Sequence, residues 1–162
     1  MSSSDRRPGE IAAPLDPALA ADDARLVFIG RIRSPWTSRE DCPKNIRVAR
    51  ETGRGATLEV GDPWRVGLRD IEPGMALVLL YWMDRARRDL LVQAPRHSDR
   101  THGVFSIRSP ARPNPIAMGV VRCLAIDYEN GLVSIDAIDA LDGTPLLDIK
   151  PWLEATDIAP LI

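Results

Sequence analysis

The sequence has few of the residue types that support disulfide or metal chemistry. Its 162 residues include two cysteines and two histidines. Cys42 and Cys123 lie far apart, with no second cysteine or histidine at ligand spacing, so we expect two plain thiols and neither a disulfide framework nor a zinc site. His97 and His102 are spaced too loosely to indicate a metal centre. We therefore expect no metal.

Long apolar runs and an excess of one charge are also absent. No apolar run reaches the roughly 18 residues that a membrane-spanning helix needs, and the start, MSSSDRRPGE, lacks the apolar core of a secretory signal. We therefore expect a cytoplasmic protein. The net charge is only −2, so a nucleic-acid partner would have to be held by a local basic patch.

The sequence does contain many short, β-branched apolar runs separated by Gly, Pro and Asn. Residues 1–24 show no sustained apolar period and are expected to be a disordered or loosely docked arm, which leaves 25–162 as one domain. One short helix is expected around Pro63 to Ile71. A mainly all-β fold follows, and a closed or nearly closed barrel would limit exposed strand edges. The predicted strands are 26–32, 56–60, 76–82, 90–94, 103–107, 119–126 and 132–138.

One predicted hairpin places a carboxylate at a position of interest. Asn130-Gly131 separates two apolar runs and tolerates the positive φ of a tight turn. In the second strand the period of two puts Asp139 on the same face as Val133, Ile135 and Ala137. A carboxylate there needs a hydrogen-bond partner, a cation or a water-lined pocket. Asp139 either begins the following turn or belongs to a ligand pocket.

The stretch SIRSPARPNPI, residues 106–116, sets two arginines and an asparagine among three prolines. Proline fixes φ and removes an amide donor, so this stretch predicts a stiff loop. Its polar side chains would lose little entropy on meeting a ligand. Arg108 and Arg112 offer forked donors for a carboxylate or phosphate, and the Asn114 amide can donate and accept. Alternatively, the arginines pair with the protein's own carboxylates.

Two motifs resemble the paired signature of one enzyme family. RSPARPNPIAMGVV at 108–121 and DALDGTPLLDIKPW at 139–152 are similar to the TrmO family, also called YaeB-like or TsaA-like, and IGRIRSPW at 29–36 resembles its opening strand. The resemblance implies a single-sheeted β-barrel with one or two short helices, usually a homodimer. It also implies S-adenosylmethionine-dependent methylation of N6 of threonylcarbamoyl-adenosine at position 37 of tRNA.

The resemblance also implies the site residues. By position in the two motifs, the cofactor-binding residues are expected to be Arg108, Ser109, Pro110, Arg112, Pro113, Asn114, Pro115, Ile116, Asp142, Gly143, Thr144, Asp148 and Lys150. Asn114 and Asp139 are the candidates for accepting a hydrogen bond from the methyl-accepting amine, which makes them the predicted catalytic residues. The second motif would complete the same pocket or its dimer-related neighbour.

The expected tRNA contacts are basic or polar. Lys44-Asn45 stands where the family commonly has Arg-Gln, and DRARRDLL supplies Arg85, Arg87 and Arg88 for the phosphates of the anticodon stem-loop. That segment could equally be a solvated charged turn. Aromatic residues are only 5% of the chain, so a broad stacking surface is not expected, though Trp36, Trp64 or Trp152 could each stack one base.

Two other functional classes remain open at this point. A noncatalytic S-adenosylmethionine-binding sensor or adaptor would bind the cofactor without turnover, and the replacement at Lys44-Asn45 and the short C-terminus favour it slightly. A protein-interaction scaffold would bind no cofactor.

Overall fold

The structure is a computed structural model that describes residues 6–14, 24–96 and 98–158. It divides the chain into two compact units, where the sequence alone predicts a single domain after the arm. One unit comprises Leu26–Trp82 and Ala117–Ile162, and the other comprises Met1–Arg25 and Met83–Ile116. The Pro-rich loop, residues 106–116, and the second motif, residues 139–152, therefore belong to different units.

Strands dominate both units. In chain order the strands of the described residues are β1 (Ile11–Ala12), β2 (Gly30–Arg33), β3 (Ala56–Val60), β4 (Ala76–Trp82), β5 (Leu90–Gln93), β6 (His102–Gly103), β7 (Ile116–Asp127), β8 (Leu132–Ile135) and β9 (Thr144–Pro151). The α-helices are α1 (Ile46–Glu51) and α2 (Glu154–Asp157), and 3₁₀ helices cover Trp64–Leu68 and Val104–Ser106. The mainly all-β prediction, with one or two short helices, is confirmed.

The larger unit is built on a closed six-stranded barrel. Its strands run in the order β2, β3, β8, β7, β4 and β9, and β9 pairs with β2 to close the ring. Alternation fills the interior: on β4 the side chains of Leu77, Leu79 and Tyr81 are buried while their neighbours are partly exposed. On β8, Val133 and Ile135 are fully buried in the same way. The predicted barrel is confirmed.

The β7–β8 turn follows the prediction made from Asn130-Gly131. Gly131 has φ of 70°, and a Cβ built there would lie 2.4 Å from the carbonyl oxygen of Val60. Only glycine avoids both the strained backbone and this approach to the neighbouring strand. The Asn130 amide also donates a hydrogen bond to Asp127, which closes the loop.

The smaller unit contains a three-stranded sheet in the order β1, β5, β6. β1 pairs antiparallel with β5, so residues 11–12 of the predicted arm are docked on a sheet. Arm residues 1–5 and 15–23 lie outside the described residues.

One predicted strand is wrong, and one observed strand is not predicted. The strand predicted at 103–107 is absent beyond its first residue, because β6 ends at Gly103 and the chain then turns through the 3₁₀ helix with Phe105 86% exposed. The apolar run GVFSI is typical of a strand, but Val104 is its only side chain buried in the core. The short helix expected around Pro63 to Ile71 is present as the 3₁₀ helix Trp64–Leu68, whereas the sequence does not predict β9.

Candidate functional site

The Pro-rich loop of the smaller unit is held together by Arg112. Its guanidinium group donates from Nε to the carbonyl oxygen of Ser109 at 2.7 Å, and from Nη2 to those of Val104 at 2.7 Å and Ile107. The sequence suggested either a ligand's anion or the protein's own carboxylates as the partner of this side chain. The structure shows a third arrangement, in which Arg112 binds backbone carbonyls and stiffens the loop.

Neighbouring segments of the same unit fix the rest of the loop. The buried Gln93 side chain donates to the carbonyl oxygen of Ala111, and the Met83 amide donates to that of Pro115 at 2.9 Å. Arg88 donates from Nε to the carbonyl oxygen of Pro113 at 2.6 Å. The loop is thus restrained at several points as well as by its prolines, which supports the predicted stiffness.

Two polar side chains of this loop face outward. Arg108 is exposed and has no hydrogen bond or ion pair within the described residues. Asn114 is also exposed, and its Oδ1 accepts a hydrogen bond from Arg88 Nη2 at 3.3 Å. Because arginine can only donate, this contact orients the amide and leaves the Asn114 NH₂ group to donate to a ligand. The loop therefore presents a guanidinium group and an amide donor.

The other predicted cofactor residues of this loop have mixed environments. Ser109 is partly buried, and its Oγ accepts from the Ala111 amide at 3.4 Å. Pro115 is fully buried, and Ile116 is 41% exposed where β7 begins. Pro110 is exposed and Pro113 is partly buried.

In the larger unit, three residues of the second motif build the turn that leads into β9. Asp142 Oδ1 accepts from the Ser34 amide at 3.1 Å, and the Gly143 amide donates to Ile32 at 2.8 Å with Gly143 at φ of 80°. The buried Thr144 hydroxyl donates to the carbonyl oxygen of Leu141 at 2.7 Å. These contacts give Asp142, Gly143 and Thr144 a defined role in the turn.

Asp148 and Lys150 lie further along β9 and pair with one another. Lys150 Nζ lies 2.6 Å from Asp148 Oδ2, and both side chains are well exposed. An exposed pair of this kind contributes about 0–1 kcal/mol, so each partner can readily exchange its contact for one with a ligand.

Asp139 has one oxygen held and one open. The Tyr81 hydroxyl donates to Asp139 Oδ1 at 2.8 Å, whereas Oδ2 has no hydrogen bond or ion pair within the described residues. The charge of the same carboxylate affects Cys42. Burial is the larger cause and the Asp139 charge the smaller one, and together they raise the pKa of the Cys42 thiol to about 11. Tyr81, Cys42 and Asp139 therefore come together from three distant parts of the sequence.

The predicted tRNA-contacting arginines differ in what they contact. Arg85 is exposed without a partner among the described residues. Arg87 donates two hydrogen bonds, of 2.9 and 2.8 Å, to the Asp89 carboxylate, and this contact lowers the pKa of Asp89. Arg88 restrains the Pro-rich loop as described above.

The other expected nucleic-acid contacts separate into structural and exposed residues. Asn45 caps α1, because its Oδ1 accepts from the Val48 amide at 3.0 Å, while Lys44 is exposed. Trp36 is buried, donates to the carbonyl oxygen of Ile138 at 2.7 Å and lies under Arg54, so it cannot stack a base. Trp64 remains 41% exposed and Trp152 is partly exposed.

The described residues contain neither a cluster of metal ligands nor a membrane-spanning helix. In the ranges that the structure describes, there is no group of three or more His, Cys, Asp or Glu side chains placed to hold a metal ion. None of the helices in those ranges is long and apolar enough to cross a membrane. His97 lies outside the described residues.

Two residues that organise these sites, Tyr81 and Gln93, are not among those indicated by the sequence. Tyr81 occupies an inward position of a strand otherwise filled by Leu77 and Leu79, and Gln93 is a buried polar residue at the end of β5. A polar group at an inward position of a strand is the available signal, because a buried polar group needs a partner. Arg88 is a predicted tRNA contact, but no sequence signal indicates that it also restrains the Pro-rich loop.

The sequence of the chain matches a known protein family. Residues 31–158 match the family described as tRNA-methyltransferase O N-terminal domain, TrmO_N. The match covers most of the chain, and the chain belongs to this family.

Individual relatives agree with that assignment. The chain is 42% identical over 151 residues to a Rhizobium radiobacter protein described as "Probable S-adenosyl-L-methionine-binding protein VirR", covering 93% of this chain and 82% of that one. It is 43% identical over 133 residues to a "Probable S-adenosyl-L-methionine-binding protein" of Archaeoglobus fulgidus, covering 82% of this chain and 35% of the relative.

Solved structures match the fold. The crystal structure of TrmO from Pseudomonas aeruginosa superposes with a TM-score of 0.67 at 31% identity, covering 84% of this chain and 59% of that chain. This chain therefore spans little more than half of that structure, and about a third of the Archaeoglobus relative.

Proposed function

We propose that this protein is an S-adenosylmethionine-dependent methyltransferase that acts on N6 of threonylcarbamoyl-adenosine at position 37 of tRNA. Membership of the tRNA-methyltransferase O family supports the class of reaction. The observation that carries the proposal is the restrained Pro-rich loop, which presents Arg108 and the Asn114 amide without internal competition for their donors.

The donor set of that loop fits S-adenosylmethionine. The cofactor carries a carboxylate, which suits the exposed guanidinium group of Arg108, and several acceptor atoms, which suit the Asn114 NH₂ group. Asp148 and Lys150 offer an exposed carboxylate and ammonium group for a diol, an ammonium or a carboxylate. When bound, S-adenosylmethionine supplies an activated methyl group.

The protein's task is then to align the acceptor and handle one proton. Asp139 Oδ2 is open and can accept a hydrogen bond from the N–H of the amine, which frees the nitrogen lone pair. Asn114 is less suited to this task than the sequence suggested, because its Oδ1 already accepts from Arg88. We therefore assign Asn114 to cofactor binding and propose Asp139 as the hydrogen-bond acceptor in catalysis.

Recognition of tRNA is proposed for the exposed basic side chains. Arg85 and Lys44 are exposed and free of ion pairs within the described residues, so either can contact a phosphate without breaking an internal bond. Arg87 would have to leave Asp89 to do so.

A second candidate is a cofactor-binding sensor without turnover. One observation favours it: the Rhizobium radiobacter and Archaeoglobus fulgidus relatives are described as probable S-adenosyl-L-methionine-binding proteins.

A paired assay separates the two candidates. Calorimetry with S-adenosylmethionine should show binding by wild type and a loss of about tenfold or more in Arg108→Ala. Arg100→Ala, an exposed arginine of the same unit, is the matched control. Methyl transfer to tRNA that carries the threonylcarbamoyl group, and not to unmodified tRNA, supports the enzyme. Binding without transfer supports the sensor, and no binding contradicts both.

We further propose that the protein is a homodimer. Met118 and Leu124 are 48% and 53% exposed on the outward face of β7, where a second copy could cover them. Sedimentation equilibrium should give twice the chain mass for wild type, and Leu124→Asp should shift the protein towards monomer. A monomeric wild type contradicts this proposal.

A further inference from the structure

The contact between Tyr81 and Asp139 joins the barrel interior to the proposed hydrogen-bond acceptor. Tyr81 is an inward-facing residue of β4 and is 2% exposed, and its hydroxyl donates to Asp139 Oδ1 at 2.8 Å. Gly119 on β7 faces the same ring, and a Cβ built there would lie 3.7 Å from both a ring carbon and the hydroxyl oxygen. The Tyr81 ring is thus fixed by its packing, and its hydroxyl binds one oxygen of the Asp139 carboxylate.

We propose that Tyr81 is a positioning residue that holds Asp139 by Oδ1 so that Oδ2 faces the methyl-accepting amine. This inference rests on the proposed methyltransferase function. A free carboxylate can rotate about its Cβ–Cγ bond and offer either oxygen, whereas a carboxylate with one oxygen fixed offers only the other. Restricting this rotation before the substrate binds lowers the entropy cost of reaching the reactive arrangement.

The proton balance explains why the orientation matters. The amine nitrogen forms one bond to carbon and must lose one proton, while the carbon–sulfur bond of the donor breaks and its electron pair stays on sulfur. Asp139 Oδ2 accepts the proton and later passes it to water. The phenol hydroxyl of Tyr81 stays protonated throughout, because it donates to the other oxygen of the same carboxylate.

Cys42 provides a built-in probe of the carboxylate. The Asp139 charge contributes to raising the pKa of the Cys42 thiol to about 11, after burial as the larger cause. The thiol is therefore protonated at neutral pH and reacts only at higher pH. Any change that moves or neutralises the Asp139 carboxylate should change the pH at which Cys42 becomes reactive.

The test compares the tyrosine that contacts Asp139 with the only other tyrosine of the chain. Tyr81→Phe removes the proposed contact, and Tyr128→Phe is the matched control because its hydroxyl donates to the Ile71 carbonyl oxygen at 2.6 Å, remote in sequence from the site. Asp139→Asn removes the acceptor. For each protein, we would measure S-adenosylmethionine affinity, kcat and KM on threonylcarbamoyl-tRNA across pH, and the rate of Cys42 alkylation against pH by peptide mass spectrometry.

Four results are expected. Tyr81→Phe should lower kcat about tenfold, with KM and cofactor affinity within about twofold of wild type, and Asp139→Asn should lower kcat about a hundredfold or more. The midpoint of Cys42 alkylation should fall in Asp139→Asn and shift in Tyr81→Phe. Tyr128→Phe should match wild type in every measurement.

The opposite results are distinguishable. If wild type transfers no methyl group, the proposed function fails and the role of Oδ2 falls with it. If wild type is active and Asp139→Asn is inactive, but Tyr81→Phe keeps the kcat and the Cys42 midpoint of wild type, the positioning role of Tyr81 is overturned while the proposed function stands.

Discussion

Arg108 and Arg112 lie four residues apart in one loop but have different surroundings. Arg112 donates to three backbone carbonyls of its own unit, while Arg108 is exposed and unpaired among the described residues. The sequence predicts a stiff loop from its prolines, but it cannot distinguish the two arginines. The carbonyl oxygens that Arg112 binds become available only after the chain has turned at Val104–Ser106, which the sequence did not predict.

Replacing Arg112 should therefore cost stability, and replacing Arg108 should not. Hydrogen bonds from a charged donor contribute about 1.5–3 kcal/mol, so we expect Arg112→Ala to lose about 2–3 kcal/mol of the free energy of unfolding. Arg108→Ala should stay within about 0.5 kcal/mol of wild type. Urea denaturation of both variants provides the measurement. Equal stability of the two variants would mean that Arg112 does not restrain the loop.

Asp89 should make stability depend on pH in the acid range. The hydrogen bonds from Arg87 lower the pKa of Asp89 in the folded chain below its ordinary value of 3.8. The unfolded chain then binds the proton more readily, so this stabilisation is complete above about pH 3.8 and is lost as pH falls below it towards the folded pKa.

We expect wild type to lose more stability than Asp89→Asn when urea denaturation is compared at pH 6 and pH 3. Asp99→Asn, an exposed aspartate of the same unit, serves as the control and should behave as wild type. Parallel losses in all three proteins would show that the Arg87 contact does not contribute.

At the scale of elements, regular alternation was predictable and irregular turns were not. β3 and β4 have the predicted bounds because buried apolar residues recur at every second position of each strand. The sequence does not predict β9 because its many polar residues obscure the strand pattern, although Thr144 and Leu146 are buried in the core. For the site, the motifs indicated Asp139, but its partner Tyr81 depends on a fold that brings β4 beside the loop after β8.

The β7–β8 turn gives a test at this scale. Gly131→Ala would combine a positive φ with a Cβ 2.4 Å from the Val60 oxygen, whereas Gly53→Ala has a similar φ of 68° and open space. We expect Gly53→Ala to cost about 1 kcal/mol and Gly131→Ala at least about 2 kcal/mol, because only the second must also move the backbone of β3. Thermal and urea unfolding measure the difference in the free energy of unfolding. Equal losses in the two variants would contradict the close approach of residue 131 to Val60.

At the scale of the whole molecule, charge is distributed unevenly along the chain. Residues 83–116 contain seven arginines and three aspartates, whereas the barrel unit, 26–82 with 117–162, contains 11 basic and 15 acidic residues. The excess of basic residues that a nucleic-acid partner would need in a chain of net charge −2 is therefore concentrated in 83–116.

The proposed tRNA contact should consequently depend on salt through that segment. Arg85→Ala should weaken tRNA binding and reduce the slope of log K against log salt by about one, as expected for one lost phosphate contact. Arg69→Ala, an exposed change in the acidic barrel unit, is the control and should leave the slope unchanged. Filter binding at several salt concentrations measures both, and identical slopes would exclude Arg85 from the contact.

The closure of the barrel has a consequence for how the protein is made. β9 pairs with both β2 and β4, and Gly30 lies opposite Leu146. During translation, the five barrel strands that precede β9 can pair among themselves, but β2 and β4 keep open edges until residues 144–151 have been synthesised. Open edges invite pairing with other chains, so a nascent chain stalled before β9 should be a client for chaperones, and its release from them should coincide with the arrival of this last strand.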